Sequence, residues 1–127
     1  MSESKFKAAM VVVLNEENKV LILKRMPGSH WMSEKWAFPG GHIEKNEIAL
    51  EAAHREVKEE TSLTLDNIHK LKELEEVMVY YSTSQSGRVK IDFEHTDWTW
   101  VSYSELDDYD TTPNLKQTVK QALDKIK

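Results

Sequence analysis

Two short runs near the start of the chain, Lys7 to Leu14 (KAAMVVVL) and Lys19 to Arg25 (KVLILKR), are apolar on both of the faces that a strand would present. A strand with one face in water alternates apolar and polar residues. A strand that is apolar on both faces needs cover on both. The chain therefore calls for a sheet with helices packed on its two sides. Asn15-Glu16-Glu17-Asn18 between the runs has turn composition, so the pair reads as a hairpin.

Two stretches can supply the cover. Glu47 to Thr61 carries Leu50, Ala53 and Val57 as a narrow apolar stripe, with Asn46 as N-cap. Pro113 to Ile126 carries Leu115, Val119, Ala122, Leu123 and Ile126 at helical spacing, with Thr112 as N-cap and Pro113 in the first turn, and reads as a packing helix. Between them, Leu74 to Thr83 and Arg88 to Phe93 read as a second hairpin around Ser84-Gln85-Ser86-Gly87, followed by a strand at Trp98 to Val101. The pattern by itself gives a mixed α/β or α+β domain. With 127 residues, 39% of them hydrophobic, and no visible linker or repeat, residues 1–127 are expected to form one domain.

Several function classes drop out on composition. The chain has no cysteine, so it has no disulfide framework, thiolate nucleophile or cysteine zinc site. The five histidines show no pair at zinc spacing. A net charge of −5 without a basic tract argues against a nucleic-acid polymer as partner, while small anionic substrates stay open if cations bridge them. No run approaches the roughly 18 apolar residues of a membrane span, and MSESKFKAAMVVVL lacks the long apolar core of a signal peptide. A soluble, cytoplasmic protein is expected.

The chemistry concentrates between Gly41 and Leu63, GHIEKNEIALEAAHREVKEETSL. At about 100° per residue, Glu56, Glu59 and Glu60 fall within an arc of roughly 100° on one side of the predicted helix. Glu-rich helices are usually solvated faces. Convergent carboxylates, however, repel one another unless a cation sits between them. Arg55 precedes the cluster and Glu47 lies two helical turns upstream, where a charge-assisted pair would tie the helix to its entry loop.

Gly41, Glu47, Arg55, Glu56, Val57, Glu59, Glu60 and Leu63 stand in the register of the 23-residue Nudix box, and the segment resembles that of the Nudix hydrolases, MutT-like branch. Such a coincidence arises by chance about once in 10 million starts or more rarely. The one departure is Ser62, where the family usually has Gly; at a helix C-terminus this should cost of order 1 kcal/mol locally. The resemblance covers nearly the whole chain. It implies an αβα sandwich with a mixed β-sheet between helices.

The resemblance also implies a function: hydrolysis of a phosphoanhydride in a nucleoside diphosphate linked to some group X, with Mg²⁺ as cofactor and Mn²⁺ as substitute. Carboxylate and backbone oxygens suit such hard ions. Glu56, Glu59 and Glu60 map onto the family's metal-binding and catalytic glutamates, with Arg55 beside them, and the carbonyl of Gly40 maps onto a backbone ligand. Glu94, six residues before Trp100, matches a loop glutamate that joins the metal or serves as base in the MutT-like branch; whether Glu56 or Glu94 takes the proton stays open. Arg25 matches a basic position that can reach a phosphate, and Asn114 an asparagine that bonds a purine. Trp31, Trp36, Phe38, Tyr80 and Tyr81 are further candidates for stacking on a base. The leading substrate is a small nucleotide, a purine (d)NTP cleaved to the monophosphate and pyrophosphate. Nucleotide sugars, ADP-ribose, dinucleoside polyphosphates, a catalytically silent nucleotide sensor, a diphosphate isomerase lacking its usual cysteine, and a homodimer all remain open.

Overall fold

A computed structural model describes residues 6–127, so the part of the N-terminal expectation resting on residues 1–5 lies outside the described residues. Strands β1 (Ala8–Val13) and β2 (Val20–Arg25) form where expected. Alternation sorts their side chains into two cores. Ala9, Val11 and Val13 of β1 and Leu21 and Leu23 of β2 pack with Ala52, Ala53 and Val57 of helix α1 (Ala49–Thr61). Val12, Leu14, Val20 and Ile22 pack with Leu115, Val119 and Ala122 of helix α2 (Leu115–Lys125). Each fully buried Val, Leu or Ile contributes about 1.5–3 kcal/mol. Both faces of the strands are thus covered, giving the expected αβα layering.

The strands differ in partnership from the expected hairpin. Asn15 does make the turn, its side-chain oxygen accepting from the Glu17 and Lys19 N–H groups at 2.9 and 3.0 Å. Beyond one bridge, Leu14 to Val20, the two strands separate. β1 lies inside a four-stranded sheet between β4 (Gly40–His42) and β7 (Val77–Ser82), so both of its edges are taken. β2 sits in a second sheet between β3 (Trp36–Ala37) and β9 (His95–Val101). The β1–β7 pair is parallel and β1–β4 antiparallel, so the sheet is mixed.

The second expected hairpin is also redrawn. β7 pairs with β6 (His69–Leu74) across Glu75-Glu76. β6 is rich in charge because it is the outermost strand of its sheet. Short strands β5 (Thr64–Leu65) and β8 (Gln85–Ser86) pair with each other, and residues 87–93 form a strap and not a strand. Val89 and Ile91 of the strap pack against the α1 core. β9 begins three residues earlier than expected.

Helix α1 starts at Ala49, with Ile48 and not Asn46 at its N-cap. Asn46 has φ 69°. Glu47 stays outside the helix because its carboxylate accepts from the Glu44 N–H and pairs with Arg55. The buried stripe is Ala49, Ala52, Ala53 and Val57; Leu50 is 40% exposed. α2 likewise starts late, with left-handed Asn114 (φ 67°) capping in place of Thr112, whose N–H donates to the Trp36 carbonyl. Among the described residues no helix is long and apolar enough to cross a membrane.

Candidate active site

The site begins with two glycines that hold α1 against β1. Gly40 lies opposite Met10 and Gly41 opposite Ala9. A Cβ on Gly40 would stand 2.5 Å from the Ala9 carbonyl oxygen and 2.7 Å from Met10 Cα. A Cβ on Gly41 would stand 2.5 Å from Glu56 Oε2. The backbone at Gly41 is therefore bare because a helix carboxylate occupies the space of a side chain.

Arg55 fixes the acidic face from the other side. Its Nε and Nη2 donate to the two oxygens of Glu47 at 2.7 and 2.9 Å, and Nη2 also donates to the His42 carbonyl at 3.0 Å. Its Nη1 donates to Glu56 and to Glu59, both at 3.1 Å. One guanidinium thus spans entry loop, glycine strand and helix. The bond from Glu47 holds the Arg55 pKa above its ordinary value, and the same bond lowers that of Glu47.

Glu60 is the buried member, at 4% exposure, and its Oε1 accepts from the Gly40 N–H at 3.0 Å. Burial pushes its pKa up to about 9; the Gly40 N–H opposes this, and neighbouring Glu56 and Asp92 add to it. Glu59 is 57% exposed at the outer rim.

The loop before β9 completes the cluster. One carboxylate oxygen from each of Glu60, Asp92 and Glu94 lies within 4.8 Å of the others. Glu94, singled out from its distance to Trp100, is therefore beside Glu60. Asp92 was not singled out. Its signal is the short spacing Asp92-Phe93-Glu94-His95: an Asp two residues before a loop residue can accept that residue's N–H. Asp92 Oδ1 does so with Glu94, at 3.3 Å, and also meets His95 Nδ1 at 2.7 Å.

The remaining candidates make other contacts. Arg25 donates through Nε to the Trp31 carbonyl at 2.6 Å, and its guanidinium carbon lies 5.3 Å from that ring's centre, so it braces the 26–35 loop. Asn114 is exposed and makes no side-chain cap bond. Tyr80 is in the core, Trp36 is packed edge-on against Tyr109, Phe38 and Tyr81 are half-buried, and Trp31 is exposed. A cavity of about 560 Å³ lined by Leu63, Gln85, Arg88, Trp98 and Trp100 includes none of the box glutamates in its walls.

The donor set fits a hard divalent cation. It offers carboxylate oxygens, one carboxyl is buried where its charge is disfavoured, and oxygens of Asp92 and Glu94 lie close to it. Comparison with known proteins identifies the family. The NUDIX domain family matches residues 4–122. The chain is 39% identical over 70 residues to an RNA pyrophosphohydrolase from Pelagibacter ubique, a match covering 55% of this chain and 41% of that protein. It is 35% identical over 71 residues to the 8-oxo-dGTP diphosphatase of Escherichia coli, covering 56% of this chain and 54% of that one. The chain thus spans about half the length of these two relatives. A solved MutT protein from Methanosarcina mazei Go1 superposes with TM-score 0.76 at 25% identity, over 100% of this chain and 99% of the other. Box, fold and relatives converge: the chain belongs to the Nudix hydrolase family, in its MutT-like branch.

Proposed function

We propose that this protein is a divalent-metal-dependent pyrophosphohydrolase, acting in the cytoplasm as one domain, that cleaves a nucleoside triphosphate, with a purine (d)NTP the leading substrate, to the monophosphate and pyrophosphate. The observation that carries the reading is the meeting of Glu60 on the box helix with Glu94 on the loop before β9. Gly40, Glu56, Glu59, Glu60 and Glu94 would hold Mg²⁺, or Mn²⁺ in its place. A bound cation of that kind neutralises a diphosphate and polarises the attacked phosphorus.

The chain's own groups divide the remaining work. Arg55 orients Glu56 and Glu59 toward the substrate side and keeps the helix seated on the glycine strand. Glu94 is favoured over Glu56 as the base that accepts the proton of the attacking water. Arg55 already donates to Glu56, whereas among the described residues no donor is bonded to the Glu94 carboxylate. Arg25 is assigned to a phosphate oxygen through guanidinium nitrogens other than Nε, and Asn114 to the base edge.

The test is incubation with Mg²⁺ and a panel of (d)NTPs, nucleotide sugars, ADP-ribose, dinucleoside polyphosphates and a 5′-triphosphorylated oligonucleotide, with products identified by mass. Monophosphate and pyrophosphate from a purine (d)NTP is the expected result. Turnover of another member moves the assignment of X, and turnover of none removes the enzymatic reading.

A further inference from the structure

We propose that Asp92 is a further carboxylate ligand of the cation site and that His95 is its positioning residue. The inference rests on the divalent-cation reading of the box helix given above. Asp92 places an oxygen within 4.8 Å of oxygens from Glu60 and Glu94, although it lies outside the box motif and is 32 positions from Glu60 in the chain. What keeps it there is an imidazole with 2% side-chain exposure.

The backbone explains how His95 comes to face inward. β9 pairs with β2 in register from Val101 to Asp97, then skips Thr96, so that His95 stands opposite Arg25. Arg25 alternates with Leu21 and Leu23, the β2 residues on the α1 side. The bulge therefore turns His95 toward the layer between sheet and catalytic helix, an effect bulges commonly have at the rims of sites. There its Nδ1 lies 2.7 Å from Asp92 Oδ1, and with Asp92 ionised it is the imidazole that donates.

The same Asp92 oxygen accepts from the Glu94 N–H at 3.3 Å, while the Glu94 carbonyl accepts from the Met26 N–H at 3.0 Å. His95, Asp92 and the Glu94 backbone form one connected unit anchored at the end of β2. An outer histidine that holds a ligating carboxylate by one hydrogen bond typically matters 10–100-fold in metal affinity, on the order of the effect expected here.

The experiment reads Mn²⁺ binding to the full chain without nucleotide, by the loss of the free-ion electron paramagnetic resonance signal, with thermal melts alongside. Asp92→Asn keeps the acceptor for His95 and Glu94 but removes the charge; it should bind Mn²⁺ about 10–100-fold more weakly at an unchanged melting temperature. His95→Leu keeps the charge but frees it, and should lose about tenfold. His95→Asn offers an amide N–H near the position of Nδ1 and should restore binding close to the wild type.

Wild-type affinity in Asp92→Asn overturns the proposal, as does equal loss in His95→Leu and His95→Asn. If His95→Leu fails to fold, Asp92→Asn decides alone. Absence of any Mn²⁺ binding that Glu60→Gln weakens also overturns it. Binding that depends on Glu60 and Asp92 in a protein that hydrolyses nothing in the nucleotide panel would instead refute the proposed function and leave this assignment standing.

Discussion

Single atoms decide most of this site. Gly40 and Gly41 are neighbours, yet a methyl group added to each would meet different obstacles. At Gly40 it meets the backbone of Ala9 and Met10, which cannot move without parting β1 from β4. Gly40→Ala should therefore destabilise the protein by about 2 kcal/mol or more in a denaturant titration. At Gly41 it meets the end of the Glu56 side chain. Gly41→Ala should shift the melting temperature little while lowering turnover at least tenfold, since Glu56 must leave its place between Gly41 and Arg55. Glu60→Gln offers a third contrast. The amide keeps an acceptor for the Gly40 N–H and removes a buried ionisable group, so the metal-free protein should melt no lower than the wild type. Turnover should fall about 100-fold or more, and near-normal activity would show that the site is misassigned.

At the scale of elements, the box segment is a loop tied to a helix through Arg55, which pairs with Glu44 and Glu47, and the Glu47 pair sets a pH dependence. Arg55 lowers the folded-state pKa of Glu47 below its ordinary 4.5. The pair's contribution is therefore complete above the unfolded value and is lost as pH falls through the lower folded one. The stability difference between wild type and Glu47→Gln, measured by denaturant midpoint, should be constant from neutral pH to about 5 and shrink below that. A difference that persists unchanged to about pH 2 would rule the ion pair out as its source. This pair was legible in the sequence because eight residues is two helical turns, although Glu47 reaches Arg55 from outside the helix. Ser62 was legible too: it takes the left-handed cap at φ 69°. Its hydroxyl bond to the Lys90 carbonyl, at 3.0 Å, was not, because the strap it holds has no periodicity to read. The strand partners depart from the expected hairpins for a related reason. Turn chemistry at Asn15 is local, whereas the choice of partner by β1 depends on strands far along the chain.

Across the whole molecule, the two apolar faces of β1 and β2 foretold the sandwich, since alternation is a local property. They carried no information on which strand lies beside which. The structure answers that with distant pairings: Val11 lies opposite Tyr80, and Leu21 opposite Trp100. The segment through β5 holds β1, both glycines and all of α1, yet lacks β7 and β9, one of the two neighbours of β1 and of β2 respectively. A fragment of residues 1–65 should show no cooperative thermal transition by circular dichroism, and adding residues 66–127 should restore one. A cooperative melt of the fragment alone would contradict this. The pairing pattern also has a consequence in time. Contacts that join residues about 70 to 80 positions apart close large loops before they are rewarded, which slows folding toward the range of roughly milliseconds to seconds. On the ribosome, the box helix leaves the tunnel well before β7 and β9, and buried Glu60 waits on the loop before β9 for Asp92 and Glu94 to come beside it.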